Sequence, residues 1–139
     1  MQRMGFTLIE MMIVVAIIGI LAAIGMVNYG GAARKSGEAL TKGNLGAIRS
    51  ALSIYYGDNE GVYPMDNLDS ITNNNRYLVK IPIARIQPYH TDTAVVTPEL
   101  FPSETGGWSY NNTEDDLGWG SFRVGCVHQD VRGVVWSTY

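Results

Sequence analysis

Several things are scarce in this chain, and each scarcity excludes something. A single cysteine, Cys126, stands in 139 residues, so no intramolecular disulfide can form. No proline occurs before Pro64, so no ring interrupts a helical hydrogen-bond ladder in the first part of the chain. Charge is nearly missing near the start, where Glu10 is the only charged residue between Arg3 and Arg34. Lysine and arginine number 10 against 13 aspartates and glutamates, for a formal net charge of −3. That acidic balance gives no support to a nucleic-acid partner. The two histidines, His90 and His128, lie far apart in sequence. They are read as carrying neither zinc binding nor catalysis, and Cys126 on an apolar strand face is read as a small buried hydrophobe.

What is present is concentrated at the amino terminus. A short basic leader, Met1-Gln2-Arg3-Met4-Gly5, precedes an apolar run from Phe6 to Val27 whose only polar side chains are Thr7 and Glu10. A membrane span needs about 20 mostly apolar residues, and this run supplies them. A secretory signal peptide has a longer basic region, a shorter apolar core and a small-residue cut site after that core. Here the small residue, Gly5, comes before the apolar run, so cutting there removes the leader and keeps the hydrophobic segment.

Gly5-Phe6-Thr7-Leu8-Ile9-Glu10 and the apolar residues that follow, to Ile24, resemble the class III signal of type IV pilins and type II secretion pseudopilins. The match is close over about the first 26 residues, weaker to about Pro64 and loose beyond. The resemblance implies that a prepilin peptidase cuts after Gly5 and methylates the new amino terminus on Phe6. It also implies an inner-membrane precursor with its leader in the cytoplasm, later drawn into a surface pilus or a periplasmic pseudopilus. The positive-inside count does not set orientation by itself, because Arg3 stands on one side and Arg34, Lys35 and Lys42 on the other. Loss of the leader makes the chain one unit more acidic.

Glu10 sets two readings against each other. A carboxylate near the end of a membrane helix reaches the interface and is tolerated there, and negative charge in a first helical turn suits the helix dipole. The functional reading needs the cut, which puts a positive amine on Phe6. A filament that buries these helices together has to neutralise that amine, and the resemblance implies that Glu10 pairs with Phe6 of a neighbouring subunit. Helical geometry alone equally allows a pair within one subunit, since positions four apart share a face. Gly19 and Ala23 are small residues at a spacing that lets helices approach closely. The family commonly has a proline where Val27 stands; with valine, the helix is expected to run on through that position.

Past Asn28 the composition turns mixed, and Leu45, Ile48, Leu52 and Tyr55 recur at helical spacing. Arg34–Glu38 and Glu38–Lys42 are opposite charges four apart, worth about 0.3 kcal/mol each. Gly57-Asp58-Asn59-Glu60-Gly61 supplies stop signals. These observations predict one helix from about Phe6 to about Tyr56, roughly 75 Å long. One apolar face on its second half implies a domain packed against it. A short helical piece is expected near Asn67–Leu78. Strands are expected at Gly107–Tyr110, at Trp119–Val127 with Phe122, Val124 and Cys126 on one face, and at Val134–Thr138. The fold class is α+β: a long amino-terminal helix against a small antiparallel sheet. The expected divisions are a leader at 1–5, a transmembrane and assembly helix at 6–27, its amphipathic continuation at 28–57 and a globular head at 58–139.

Other candidate features are weaker. Glu114, Asp115 and Asp116 offer hard oxygen ligands of the kind calcium takes, and major pseudopilins of the resembled family bind calcium in a carboxy-terminal loop. The cluster does not align with the family's ligands, so a solvated hairpin loop is the preferred reading and no cofactor is expected. Asn111-Asn112-Thr113 matches a glycosylation sequon, and Tyr29, Tyr55 and Tyr56 are too few to argue for electron transport. No catalytic constellation can be assembled, which leaves an enzyme with the least support. A minor-pilin adhesin or a DNA receptor should show a basic or aromatic patch. The expected function is therefore structural, as a filament subunit of a pilus or a secretion pseudopilus. Its expected partners are identical subunits, the peptidase, an assembly ATPase with its membrane platform, and lipid before assembly.

Overall fold

The computed structural model describes residues 5–99, 102, 104–114 and 116–139. Helix α1 spans Leu8–Asp58 and passes through position 27 without a break, as expected where valine replaces proline. The chain divides into two compact units, Met1–Arg34 and Lys35–Tyr139.

In the first unit, every apolar side chain from Phe6 to Met26 is exposed. Among the described residues this is the one helical stretch long and apolar enough to cross a membrane. A helix that is apolar on all sides has no face to turn to water, so its folding partner must be lipid or other helices.

In the second unit, α1 buries Glu38, Thr41, Leu45, Ile48 and Leu52, a stripe at steps of three and four, with Ala51 beside it, and Tyr55 packs partly buried at its end. The helix stops in a Schellman arrangement. Glu60 takes a positive φ of 56°, and the Gly61 amide reaches back 2.9 Å to the Tyr56 carbonyl, which satisfies one of the helix's open acceptors. Lys42 does not stay on its helical neighbour Glu38: its ammonium goes to Asp130, while the Glu38 carboxylate accepts the Val131 amide at 3.0 Å. Helix α2, Asp69–Thr72, and a 3-10 turn at Asn73–Asn75 fill the predicted helical region.

Among the described residues, three short strands form one sheet in the order β1 (Val96–Pro98), β2 (Trp108–Tyr110), β3 (Phe122–Val124). The α+β plan of long helix and small sheet is as expected and is pilin-like. Its details differ from expectation. Strand β1 falls where no strand was expected, and the strand expected at Trp119–Val127 is only Phe122–Val124, because turns closed by the Trp119 and Ser121 amides precede it and the Cys126 amide folds back to the Val124 carbonyl, which leaves Cys126 beyond the strand. The sheet is mixed: β2 and β3 run antiparallel, pairing Trp108 with Val124, but β1 runs parallel to β2, pairing Val96 with Trp108. Residues 134–138 are not a strand. Val135 makes a single bridge to Gln129, and Trp136–Thr138 closes as a 3-10 turn, because the Trp136 ring turns into the core at 1% exposure.

The core gathers the α1 stripe with Leu68, Ile71, Ala84, Ile86, Trp108, Tyr110, Phe122, Val124, Cys126 and Trp136. Two of its polar groups are bonded to backbone: the Trp108 indole donates to the Pro82 carbonyl at 2.8 Å and the Tyr110 hydroxyl to the Pro64 carbonyl at 2.7 Å. Gly37 has a packing reason on the helix. A Cβ there would lie 2.9 Å from Arg85 Cδ, so glycine leaves room for the Arg85 side chain to lie against the helix. Thr41 completes that contact by accepting the Arg85 amide at 2.8 Å.

Candidate functional site

The first candidate site is the start of α1. Thr7 is the residue before the first helical turn, and its hydroxyl accepts the Glu10 amide at 3.3 Å. In return the Glu10 carboxylate accepts the Thr7 amide at 2.8 Å and the Thr7 hydroxyl at 2.7 Å. This is a capping box, in which two helix-start donors are satisfied reciprocally. The signal was present in the spacing Thr7-x-x-Glu10, which a reading of Glu10 as a lone carboxylate passes over. Gly5 and Phe6 stand just outside the cap and both are exposed. Arg3 and the rest of the leader before Gly5 lie outside the described residues.

The second site lies in the head, and the reading of two isolated histidines does not survive there. The His90 and His128 rings meet edge to face with centroids 5.4 Å apart. Glu104 Oε2 stands 3.3 Å from His90 Nε2 and 3.2 Å from His128 Nδ1. Cys126 Sγ is 3.4 Å from the same Nδ1. Three segments converge to make this cluster. His90 ends a turn whose amides at Tyr89 and His90 both donate to the Ile86 carbonyl. Glu104 sits on the loop before β2, and Cys126 and His128 follow β3. The loop is tied to the end of β3 by paired backbone bonds, Gly106 to Gly125 at 3.0 Å and Gly125 to Gly107 at 2.9 Å. One local signal was available in the sequence: Cys126-x-His128 places both side chains on the same side of an extended chain.

The acidic group at 114–116 is arranged differently. Glu114 is exposed, and Asp116 Oδ1 accepts the Gly118 amide at 3.4 Å, the Asx-type bond of an ordinary turn. Asp115 lies outside the described residues.

Comparison with known proteins assigns the amino terminus. Residues 5–26 match the model of the prokaryotic N-terminal methylation motif. This chain begins with a prepilin motif. It is 41% identical to the fimbrial protein EcpC of Eikenella corrodens over 83 residues, which are 58% of this chain and 54% of that one. It is 46% identical to the type IV major pilin protein PilA of Myxococcus xanthus over 59 residues, 42% of this chain and 27% of that one. With the type II secretion system core protein G of Escherichia coli it is 29% identical over 140 aligned positions, 86% of this chain and 92% of that one. The chain thus spans about half or less of the two fimbrial relatives and nearly all of the secretion protein. No solved structure matches it.

The prepilin motif and the geometry coincide. The motif opens at Gly5, the capping box follows at Thr7 and Glu10, and the exposed apolar helix runs from there. A prepilin motif on a hydrophobic helix fits an inner-membrane precursor of a pilus or pseudopilus.

Proposed function

We propose that this chain is the structural subunit of a helical filament of the type IV pilus kind. It is stored in the inner membrane through Phe6–Val27 and polymerised through the same helix. The observation that carries this reading is the apolar stretch from Phe6 to Met26, helical from Leu8, exposed on every side and lying within the methylation motif. Such a surface is stable only in lipid or against other copies of itself. Cutting after Gly5 by the prepilin peptidase creates the Phe6 amine, and Glu10 of a neighbouring subunit neutralises it when both leave the membrane interface. The Thr7 cap holds the Glu10 carboxylate at the helix start, so it is already positioned when the amine appears. Identical subunits, the peptidase and an assembly ATPase with its platform are the partners this reading requires.

A pseudopilus of a secretion system is the second reading. It is favoured by the alignment that extends through the head, covering 92% of the Escherichia coli core protein G. The loop at 114–116 is read as a solvated hairpin in either case, and a rise in melting temperature with excess calcium overturns that part.

Electron microscopy of sheared surface material, with mass spectrometry of its subunits, tests the reading. Filaments whose subunits start at an N-methylated Phe6 support the pilus, and their absence at normal expression supports the pseudopilus. Glu10→Ala is expected to insert in the membrane and be cut, yet to assemble poorly. A normal filament yield from that variant overturns the role given to Glu10.

A further inference from the structure

We propose that His90, Glu104, Cys126 and His128 form a four-ligand site for a divalent transition metal of the zinc type, which staples the head of this protein. Their four ligand atoms all lie within 4.8 Å of one another. Three of the separations are 3.2, 3.3 and 3.4 Å. In a tetrahedral site with metal bonds of about 2.0–2.3 Å, neighbouring ligand atoms stand about 3.3–3.8 Å apart. Three of the separations are therefore near the spacing that a bound ion needs, and the widest has up to about 1 Å to close.

The donor set selects the ion. One thiol, two imidazoles and one carboxylate make a mixed S, N and O set that suits zinc. Calcium and magnesium take oxygen ligands and have no use for the sulfur or the nitrogens. Four protein ligands fill a tetrahedron, so the site is of the closed, structural kind and leaves no position for substrate.

The surroundings hold the ligands in place. The His128 amide points at Cys126 Sγ at 3.4 Å, the sort of N–H···S contact that steadies a coordinated thiolate. The Val127 amide donates to Glu104 Oε1, which leaves Oε2 turned to the imidazoles. The Tyr89 ring stacks on His128 at 4.1 Å with planes 12° apart and fixes the orientation of that imidazole. Gly106, at a φ of +73°, has no room for a side chain, since a Cβ there would lie 2.2 Å from His90 Cβ. The glycine lets His90 lie directly on the loop that carries Glu104.

An ion pair of Glu104 with the two histidines is the competing account. It leaves two features under-used. His90 Nε2 is buried and 3.3 Å from Glu104 Oε2, yet it does not meet hydrogen-bond geometry there. The Cys126 thiol, itself fully buried, converges on the same centre through its 3.4 Å contact with His128 Nδ1, which an ion pair does not require. A metal uses both. It also supplies a cross-link between the turn at 86–90, the loop before β2 and the end of β3, in a chain whose single cysteine rules out an internal disulfide.

The test uses the full chain, purified in detergent micelles, stripped with a chelator and titrated with Zn²⁺ alone. One zinc per chain is expected, with a rise in melting temperature that chelation reverses. Co²⁺ in its place is expected to give a sulfur-to-metal charge-transfer absorption, which Cys126→Ser abolishes. His128→Gln should weaken zinc binding on the order of 100-fold or more, since even loss of an outer partner costs 10–100-fold. Glu114→Ala, outside the cluster, should leave it unchanged. Should Cys126→Ser fail to fold, Glu104→Gln on the exposed loop removes a ligand without touching the core, and it must also weaken binding. The proposal is overturned by a folded wild-type chain that takes up no stoichiometric zinc. It is equally overturned if Cys126→Ser, or Glu104→Gln in its place, and His128→Gln keep wild-type affinity.

Discussion

The Lys42 ammonium lies 2.5 Å from the carboxylate of Asp130, which joins the second half of the long helix to the turn at Asp130–Gly133. Tyr139 closes the triangle, donating its hydroxyl to Asp130 at 2.6 Å while accepting from Lys42 at 2.8 Å. The Lys42 ammonium also lies over the Tyr139 ring, 4.1 Å from its centre. Asp130 turns its other oxygen to the amides of Arg132 at 2.8 Å and Val134 at 2.9 Å. Its side chain is fully buried, whereas that of Lys42 keeps 28% of its surface. A buried carboxylate is tolerable only when its lone pairs are used in this way.

Asp130→Ala is expected to destabilise the head by about 3 kcal/mol. Breaking a buried pair costs about 3–5 kcal/mol, and partial exposure of Lys42 puts this one at the lower end. Urea denaturation of the detergent-solubilised chain, followed by tryptophan fluorescence, measures it. A loss under about 1 kcal/mol would show that the triangle is incidental.

The same pair sets a pH dependence with a definite sign. Burial pushes the Asp130 carboxyl up, but hydrogen bonds from Lys42, Tyr139 and the Val134 and Arg132 amides outweigh it and hold the group well below the usual carboxylate range. Its stabilising contribution is complete above the unfolded value of about 3.9 and is lost as pH falls through the lower folded value. Lys42 behaves inversely. Burial works against its charge, yet bonding to Asp130 and Tyr139 raises it, so its contribution is present below about 10.4 and is lost as pH rises through the folded value. Wild type and Asp130→Asn should therefore differ most in urea midpoint between these limits and converge at both ends. A difference that is constant with pH contradicts this.

Tyr110→Phe is expected to cost about 1–2 kcal/mol, because it leaves the buried Pro64 carbonyl without its donor. Burial, with nearby acidic groups, pushes the Tyr110 phenol well above its ordinary value. The alkaline absorbance titration of the folded protein should then be unaltered by the substitution. Loss of a tyrosine signal from the folded-state titration would mean that Tyr110 reaches solvent.

Gly106→Ala should destabilise the head by about 2–4 kcal/mol, from overpacking against His90 and from a left-handed backbone that alanine resists. Thermal unfolding read by circular dichroism checks it. Gly43→Ala, on the helix with open space around its Cβ position, should instead stabilise by up to about 1 kcal/mol. Equal effects at the two glycines would refute the packing argument.

What the sequence made legible was what is local. The long helix, its stop near Gly57–Gly61 and the stripe Leu45, Ile48, Leu52 follow from spacing along one segment. Strand β1 was not legible. Pro98 is a residue that argues against a strand, and the partner that makes Val96–Pro98 a strand is a parallel neighbour, which no turn signal announces. Val134 and Val135 read as a strand by composition. Tertiary packing overrode them: the Asp130 turn at Gly133 and the burial of Trp136 coil the chain instead. The capping box was legible from two residues. The head cluster was not, because His90 and Glu104 reach Cys126 and His128 only through the sheet and its loops. Even so, Cys126-x-His128 marked half of it.

The sheet is short, and its outer borders are closed. Each strand has three residues. The border at β1 carries Pro98, which has no amide hydrogen to offer a further strand. On the opposite border, the outward carbonyl of Phe122 is already taken by the Arg49 guanidinium at 2.7 and 3.0 Å. Proteins that are concentrated side by side run the hazard of strand-to-strand templating, and short, proline-bearing or charge-blocked borders suppress it. A head built in this way can be held at high local concentration without fusing into a continuous cross-strand aggregate.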